Sequence, residues 1–306
     1  MIDSCAEHPF APTRGAPPSS MRLSIVIVNY KSREVLMECL ASLEADAAGL
    51  ETETIVVDND SRDGTPEALA ERFPTVRLHV NRDNLGYARA VNQGIAATTG
   101  PWVLIMNPDC LVKPGTLRAL IGQLAGHSRC AIAAPRIVNT DGTLEYSARA
   151  WPDPFAFLFN RYSVLTRLFP RNRWSRRYLL LDWDHASVRD VDWVSGACMM
   201  ARREAIEQVG GMDEAFFIFN EDVDWCRRMR LAGWTVTYVP TGEVVHRVGA
   251  SRGRVAPRVI VERHRGMIHY FHKHHPTHPA VAFVADHLIM ARAGVMLAMN
   301  VLRRSR

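Results

Sequence analysis

The chain has no Cys-x-x-Cys pair and no zinc-like cysteine spacing; Cys5, Cys39, Cys110, Cys130, Cys198 and Cys226 are scattered over 306 residues. That pattern excludes a disulfide framework or a cysteine zinc site and fits a reduced cytosolic setting. The first twenty residues lack the apolar core of a secretory signal. Pro9, Pro12, Pro17 and Pro18 stand there among Ala, Ser and Gly with no apolar period, so a floppy leader is expected, with Met21 a candidate start. No internal repeat is present.

Acidic residues are scarce at the carboxyl end. From Arg247 onward there are eleven Lys or Arg against only Glu262 and Asp286, whereas the preceding chain has twenty-six basic and thirty acidic residues. The tail alone gives the protein its net charge of +5. Its last stretch, residues 280 to 302, is apolar apart from Asp286, His287, Arg292 and Asn300, and it closes on Arg303-Arg304-Ser305-Arg306. A span needs about 20 apolar residues, but an internal Asp and Arg each cost roughly 2.5 to 3.5 kcal/mol at the bilayer centre. A helix lying on an anionic membrane face is therefore expected, the alternative being a helix packed on the body with solvated arginines. The basic segment carries no recognition motif for nucleic acid, so no such partner is expected.

Core material is plentiful: 47% hydrophobic and 23% charged residues supply one large or two smaller globular units. Leu23-Ser-Ile-Val-Ile-Val-Asn29 is a continuous apolar run, the mark of a strand buried on both faces in a parallel sheet. Further strands are predicted over 53–58, 76–80 and 102–106. Helices are predicted from Ser32, from Thr65 with Pro66 at its first position, over 86–98 and over 115–124. This alternation predicts an α/β fold with a doubly wound, mostly parallel sheet. After Pro135 the texture changes. Asn139-Thr140-Asp141-Gly142 is a turn signal between extended arms. Residues 151 to 178 are loop-rich and carry Arg161, Arg167, Arg171, Arg173, Arg176 and Arg177. Strands over 192–201 and 235–239, with helices over 203–209 and 222–231, are expected to complete the same sheet.

Chemistry-bearing residues stand where these elements end, the positions at which a rigid scaffold presents a site. Asp58 follows the second strand, at the crevice where open α/β sheets bind ligands, and can accept from a base N–H or ribose hydroxyls. An Asx turn with a helix cap would use the same residues. Asn84-Leu85-Gly86 opens a helix whose amino end favours an anion, with Arg89 and Asn92 three apart on one face; close packing of a small-residue helix is the other reading. The strand at 102–106 runs into Asn107-Pro108-Asp109, where a carboxylate can share Mg2+ or Mn2+ with phosphate oxygens. Asn220-Glu221-Asp222 suits a helix cap and first turn. The aromatic run Phe216-Phe217-Ile218-Phe219 just before it would exclude water and raise the Asp222 carboxyl toward a useful base. His246 leads into Gly249-Ala250-Ser251-Arg252, a loop suited to diphosphate contact. Two carboxylates and an imidazole meeting at strand ends would hold a divalent cation against a diphosphate and leave one carboxylate as base.

Taken in order, Ser24-Ile-Val-Ile-Val-Asn29-Tyr30, Val57-Asp58-Asn59-Asp60-Ser61-Arg62-Asp63-Gly64-Thr65, Asn84-Leu85-Gly86-Tyr87, Asn107-Pro108-Asp109, Val194-Ser195-Gly196-Ala197, Asn220-Glu221-Asp222-Val223-Asp224 and His246-Arg247-Val248-Gly249-Ala250-Ser251 resemble the family 2 glycosyltransferases. The nearest branch is that of rhamnosyltransferases of cell-wall and O-antigen assembly, and the resemblance covers residues 22 to 253. It implies a GT-A fold and an inverting transfer from a nucleoside-diphosphate sugar, dTDP-rhamnose favoured over a UDP-sugar. It implies Asp222 as the catalytic base and Asp109 and His246 as ligands of Mg2+ or Mn2+. The donor site implied comprises Asn29, Tyr30, Asp58, Asp60, Asn84, Gly86, Arg89, Asn92 and Asn107. One departure stands out: many relatives have Asp-x-Asp where this chain has Asn107-Pro108-Asp109, so one charge is missing from the metal site.

The expected acceptor is a hydroxyl of a lipid-linked glycan, and the expected location is cytoplasmic, peripheral on the inner face of the cell membrane. The expected organisation is a leader over 1–20, a nucleotide-sugar-binding half over 21–135, an acceptor and catalytic half over 136–256, and a basic amphipathic helical tail over 257–306. Competing readings are a nucleotide-sugar-binding protein without catalysis and a nucleotidyltransferase. The latter would carry a Gly-rich, Lys-containing phosphate loop after the first strand, where this chain has Asn29-Tyr30-Lys31-Ser32.

Overall fold

Strand β1 (Arg22–Asn29) is buried along all but its first residue because its alternating side chains enter two different cores. The structure, a computed structural model, describes residues 22–152, 172–247 and 256–302. The leader, Arg161, Arg167, Arg171, the loop at 249–252 and Arg303, Arg304 and Arg306 lie outside the described residues. Leu23, Ile25 and Ile27 pack with helices α1 (Arg33–Asp46) and α2 (Thr65–Arg72), while Val26 and Val28 pack with α3 (Tyr87–Ala96) on the opposite face. Burying each such side chain stabilises the fold by roughly 1.5 to 3 kcal/mol. Both faces contribute, and an uninterrupted apolar run is the consequence.

Strands β2 (Glu51–Asp58), β3 (Arg77–Val80) and β4 (Trp102–Met106) extend β1 in parallel, in the order β3-β2-β1-β4. Beyond β4 the sheet is mixed. It continues through β11 (Cys198–Arg202), β6 (Cys130–Val138) and β12 (Thr235–His246) to β5 (Cys110–Val112). β11 is antiparallel to both neighbours, β12 is parallel to β6, and β5 is antiparallel to β12. Two reversals restore the direction, so β6 and β12 run the same way as β1 and β4. Asn29, Asp58, Asn107 and His246 therefore emerge at one edge of the sheet.

Short strands complete the rest of the sheet region. β7 (Leu144–Glu145) pairs with β6, β8 (Ala148–Arg149) pairs with β10 (Trp193–Val194), and β9 (Arg189–Asp190) pairs with β12. Helices α4 (Thr116–Gly126), α5 (Arg173–Tyr178), α6 (Arg203–Val209) and α7 (Glu221–Leu231) connect them, followed by α8 (Pro257–His274) and α9 (Pro279–Leu302).

Three sequence expectations change. The strand expected over 192–201 is broken into β10 and β11 by Ser195-Gly196-Ala197, and the strand expected to stop at Val239 runs on to His246. β6 continues through Pro135, where the change of texture was placed. Pro135 faces Val239, and β12 shifts register between Val239 and Glu243, so the missing N–H meets an already interrupted ladder.

Candidate active site

At the end of β1, fully buried Asn29 ties together the loops that follow β1 and β2. Its Nδ2 lies 2.8 Å from Asp58 Oδ2, 3.1 Å from Ser61 Oγ and 3.1 Å from Thr65 Oγ1. Its Oδ1 is buried with no hydrogen-bond partner, an acceptor left open at this edge. Asp58 Oδ1 accepts from the Ser61 N–H at 2.9 Å, and Asp63 Oδ1 accepts from the Thr65 N–H at 3.1 Å. Asx-type turn bonds thus shape this loop, the structural role that the sequence also permits. Tyr30 is exposed, and Asp60 turns to Arg62 at 2.7 Å. Lys31, Asp60 and Arg62 all have positive φ, strain of the kind that collects at ligand sites.

Asn84 Oδ1 accepts from the Gly86 N–H at 3.0 Å and sets up the start of α3. Gly86 has φ +92°, and a Cβ there would lie 2.7 Å from the Phe217 carbonyl oxygen, which accepts from the Tyr87 N–H. Gly86→Ala is therefore expected to cost about 1 to 3 kcal/mol. A urea midpoint equal to that of the parent protein would contradict this. Arg89 and Asn92 do share one face of α3, but that face meets the 212–214 loop. Arg89 pairs with Glu214 at 2.7 Å, while the Asn92 amide donates to Met212 O and accepts from Met212 N, each at 2.8 Å. Arg89 Nε and the Asn92 amide are thus engaged by the protein's own 212–214 loop.

Asp109 and His246 meet across the β5–β12 pair, in which His246 stands opposite Cys110. His246 Nε2 is 3.3 Å from Asp109 Oδ1, and its Nδ1 is 2.8 Å from Glu145 Oε2. Burial disfavours the imidazolium, but hydrogen bonds to Asp109 and Glu145 outweigh it and hold His246 up at about 9. Asp109, Cys110 and His246 offer ligand atoms within 4.8 Å of one another. The Cys110 thiol donates to Ala197 O, and burial pushes its pKa well up, so it suits neither Mg2+ nor Mn2+. Asp109 offers a hard oxygen and His246 an imidazole nitrogen that can ligate once its proton is displaced, and Glu145 orients the ring in the manner of an outer-shell carboxylate.

Asp222 opens α7, after Phe219 and Asn220 at φ +66° and +71°, both strained for non-glycine residues. Its Oδ2 accepts from the Gly196 N–H and its Oδ1 from the Val223 N–H, each at 2.9 Å. Burial pushes the Asp222 carboxyl up, against the opposing pull of those N–H groups and Arg149. Burial and the neighbouring Asp222 push Glu221 further, and one of its oxygens has no partner. Burial thus disfavours charge on both carboxyls, and on Glu221 the more strongly.

The segment 195–197 joins Asp222 to the end of β4. Gly196 N–H holds Asp222, Gly196 O accepts from the Tyr87 hydroxyl at 3.2 Å, and Ala197 O accepts from the Asn107 N–H at 2.9 Å. Two residues further along, Asp109 O accepts from the Arg247 N–H at 2.9 Å. Asp109 and His246 are thus in contact, and Asp222 is tied to the same strand ends through Gly196, Ala197 and Asn107.

Helix α8 backs the segment that leads into Asp222. Phe216 meets His269 edge to face with centroids 4.7 Å apart, Arg258 lies 4.2 Å from the Phe217 ring centroid, and Arg263 lies 5.1 Å from that of Phe219. Buried Asp224, two residues after Asp222, receives Arg228 at 2.8 Å, Lys273 at 2.8 Å and His274 at 2.7 Å. The aromatic run is thus largely a bed for α8, a role that its proximity to Asp222 did not reveal. Sequence reasoning also missed Glu145, although the turn at 139–142 signals that a strand returns beside β6. The backbone at Gly196, recognised only as a motif, escaped assignment because a main-chain donor leaves no trace in residue type.

The family model for glycosyl transferase family 2 matches residues 24–210. Over 254 residues the chain is 36% identical to the N-acetylglucosaminyl-diphospho-decaprenol L-rhamnosyltransferase of Mycobacterium tuberculosis, covering 79% of this chain and 81% of that one. Among solved structures, GalNAc-T7 with UDP, GalNAc and Mn2+ aligns with TM-score 0.61 at 18% identity, over 82% of this chain and 48% of that chain. This chain thus spans about half of that protein. The mannosyltransferase PcManGT from Pyrobaculum calidifontis, in complex with GDP-Man and Mn2+, aligns with TM-score 0.58 at 18% identity, over 97% of this chain and 84% of that chain. At such identity the two structures speak to the fold alone, which is GT-A. Since the family model takes in β1 through α6 and the mycobacterial relative aligns over most of both chains, this chain belongs to glycosyl transferase family 2.

Proposed function

We propose that this glycosyltransferase moves L-rhamnose, with inversion, from dTDP-rhamnose to a hydroxyl of a lipid-diphosphate-linked glycan in cell-envelope polysaccharide synthesis. The carrying observation is the link from Asp222 through Gly196 and Ala197 to Asn107, beside the Asp109–His246 pair. A single in-line displacement needs a base on one side of the anomeric carbon and charge relief for the diphosphate on the other. Asp222 takes the acceptor proton, and the Gly196 and Val223 N–H groups favour its carboxylate form against burial. Asn29 and Asp58 face the nucleotide. Asp109 and His246 would hold Mg2+ or Mn2+, which when bound neutralises charge on the departing diphosphate. The choice of rhamnose and of a lipid diphosphate acceptor follows the mycobacterial relative.

The test offers dTDP-rhamnose and UDP-sugars, with Mg2+ or Mn2+, to a short prenyl diphosphate N-acetylglucosamine. Transfer from dTDP-rhamnose with inverted anomeric configuration is expected; preference for a UDP-sugar, or retained configuration, would overturn this reading.

The acceptor's lipid places the enzyme at a membrane, and α9 supplies the contact. Pro279–Val301 is long and apolar enough to cross a bilayer, and little of it is buried. Its polarity is inverted. Asp286, Arg292 and Asn300 are only partly exposed, with Asp286 paired to His272 of α8 at 3.0 Å, whereas Val281, Phe283, Val284, Leu288, Val295 and Met299 are exposed. A helix whose outer face is the apolar one suits the headgroup and acyl boundary of an anionic bilayer, lying along it with the polar side inward. Removing everything after His275 is expected to move the protein from membrane pellet to supernatant; an unchanged distribution would contradict the membrane role. The cut spares His274 and Lys273, so the α8 bed beneath Asp222 stays in place.

A further inference from the structure

Four arginines surround one cavity on the acceptor side. Arg173, Arg176 and Arg177 of α5 and Arg189 of β9 line a cleft of about 630 Å³ together with Trp183 and Asp182. Asp182 pairs with Arg176 at 2.5 Å. Among the described residues, Arg173, Arg177 and Arg189 have no acidic partner, although Arg173 lies over Trp174 and Arg189 over Trp183. Gathering guanidinium groups in this way is unfavourable until an anion joins them, and their fork geometry matches phosphate oxygens. Leu180, which also lines the cleft, has φ +53°, and His185 just beyond it has φ +55°; both are strained positions of the sort that cluster at ligand clamps.

The cleft is coupled to the site. Tyr178, the last residue of α5, packs on Trp193 with centroids 6.2 Å apart, and Tyr178 O accepts from the Ala150 N–H at 3.0 Å. Arg149 lies 5.7 Å from the Tyr178 ring centroid and 4.9 Å from that of Trp193, and its charge reaches Asp222. Trp193 and Val194 then run directly into Ser195 and Gly196, whose N–H holds Asp222.

We infer that Arg173, Arg177 and Arg189 bind the diphosphate of the acceptor, with Trp183 and Leu180 beside the first carbons of its lipid. This rests on the lipid-diphosphate reading of the acceptor given above. The diphosphate anchors the acceptor by its charged end, and the sugar hydroxyl extends toward Asp222. Arg176 is already neutralised by Asp182 and serves as an internal control.

The test compares the parent enzyme with the triple variant R173A/R177A/R189A on two acceptors, prenyl diphosphate N-acetylglucosamine and the uncharged prenyl glycoside of the same sugar. The variant is expected to raise KM for the diphosphate acceptor at least about tenfold, the loss that accompanies removal of charge-assisted hydrogen bonds to phosphate. Its kcat should stay within about twofold, and its preference for the charged acceptor should collapse. Restoring lysine at the three positions should recover part of the preference. Equal losses on both acceptors, or no loss, would overturn the inference. So would a variant that loses binding to phosphatidylglycerol vesicles but keeps its KM, since the cleft would then serve lipid headgroups. If the parent enzyme glycosylates neither acceptor, the acceptor reading fails, and calorimetry with farnesyl diphosphate decides the cleft separately. Binding lost in the triple variant upholds it, and absence of binding to the parent protein sinks it.

Discussion

Asp222→Asn is expected to lower kcat by about 100- to 10,000-fold, the range that general-base help supplies. Both Asp222 oxygens accept from backbone N–H groups, of Gly196 and Val223. An amide keeps the volume but turns an NH2 toward one of those donors, so it removes the base and leaves an N–H facing an N–H. Donor affinity should be retained, since Asn29, Asp58 and Asp109 stand on other strand ends. Glu221→Gln leaves Asp222 and its two N–H donors in place and should lose far less. Because burial pushes Asp222 up, the acid limb of kcat should lie above the usual aspartate range. Near-normal turnover of Asp222→Asn in a radiolabelled sugar-transfer assay would overturn the assignment.

The second large effect is expected at the cation site. Asp109→Ala removes the carboxylate proposed to hold the cation and should abolish the dependence of donor affinity on Mn2+ or Mg2+. Glu145→Gln should act more mildly and through His246: its carboxylate lies 2.8 Å from His246 Nδ1, and loss of such an outer carboxylate typically costs 10- to 100-fold in metal affinity. The gradation matters because Glu145 and Asp109 flank the same ring. Calorimetric titration of donor and Mn2+ into both variants distinguishes ligand from orienter. Unchanged donor affinity for Asp109→Ala, with and without metal, would count against the site.

What was legible followed from burial. The double-faced apolar run of β1 and the helix signals from Ser32, Thr65 and Gly86 gave the parallel half, because there each residue's own character sets its element. The mixed half was harder. β6 is rich in alanine and carries Pro135, weak strand signals overridden by its place between β11 and β12. Asp109 and His246 could be singled out because each closes or follows a strand, but their contact depends on β5 pairing with β12, a long-range register that no local period encodes. Asp224 shows the opposite case. It belongs to the same motif as Asp222, yet half a helical turn points it at Lys273 and His274, into the support of α8. Arg89 and Asn92 likewise share the face their spacing predicts, and what occupies that face is the protein's own loop.

Anomalous diffraction from crystals grown with Mn2+ and a non-hydrolysable dTDP-rhamnose analogue tests the central claim most directly. The account requires the manganese peak between Asp109 Oδ1 and His246 Nε2, with the anomeric carbon facing Asp222. A peak away from that pair, or a sugar bound with Asp222 out of reach of its anomeric carbon, would contradict it.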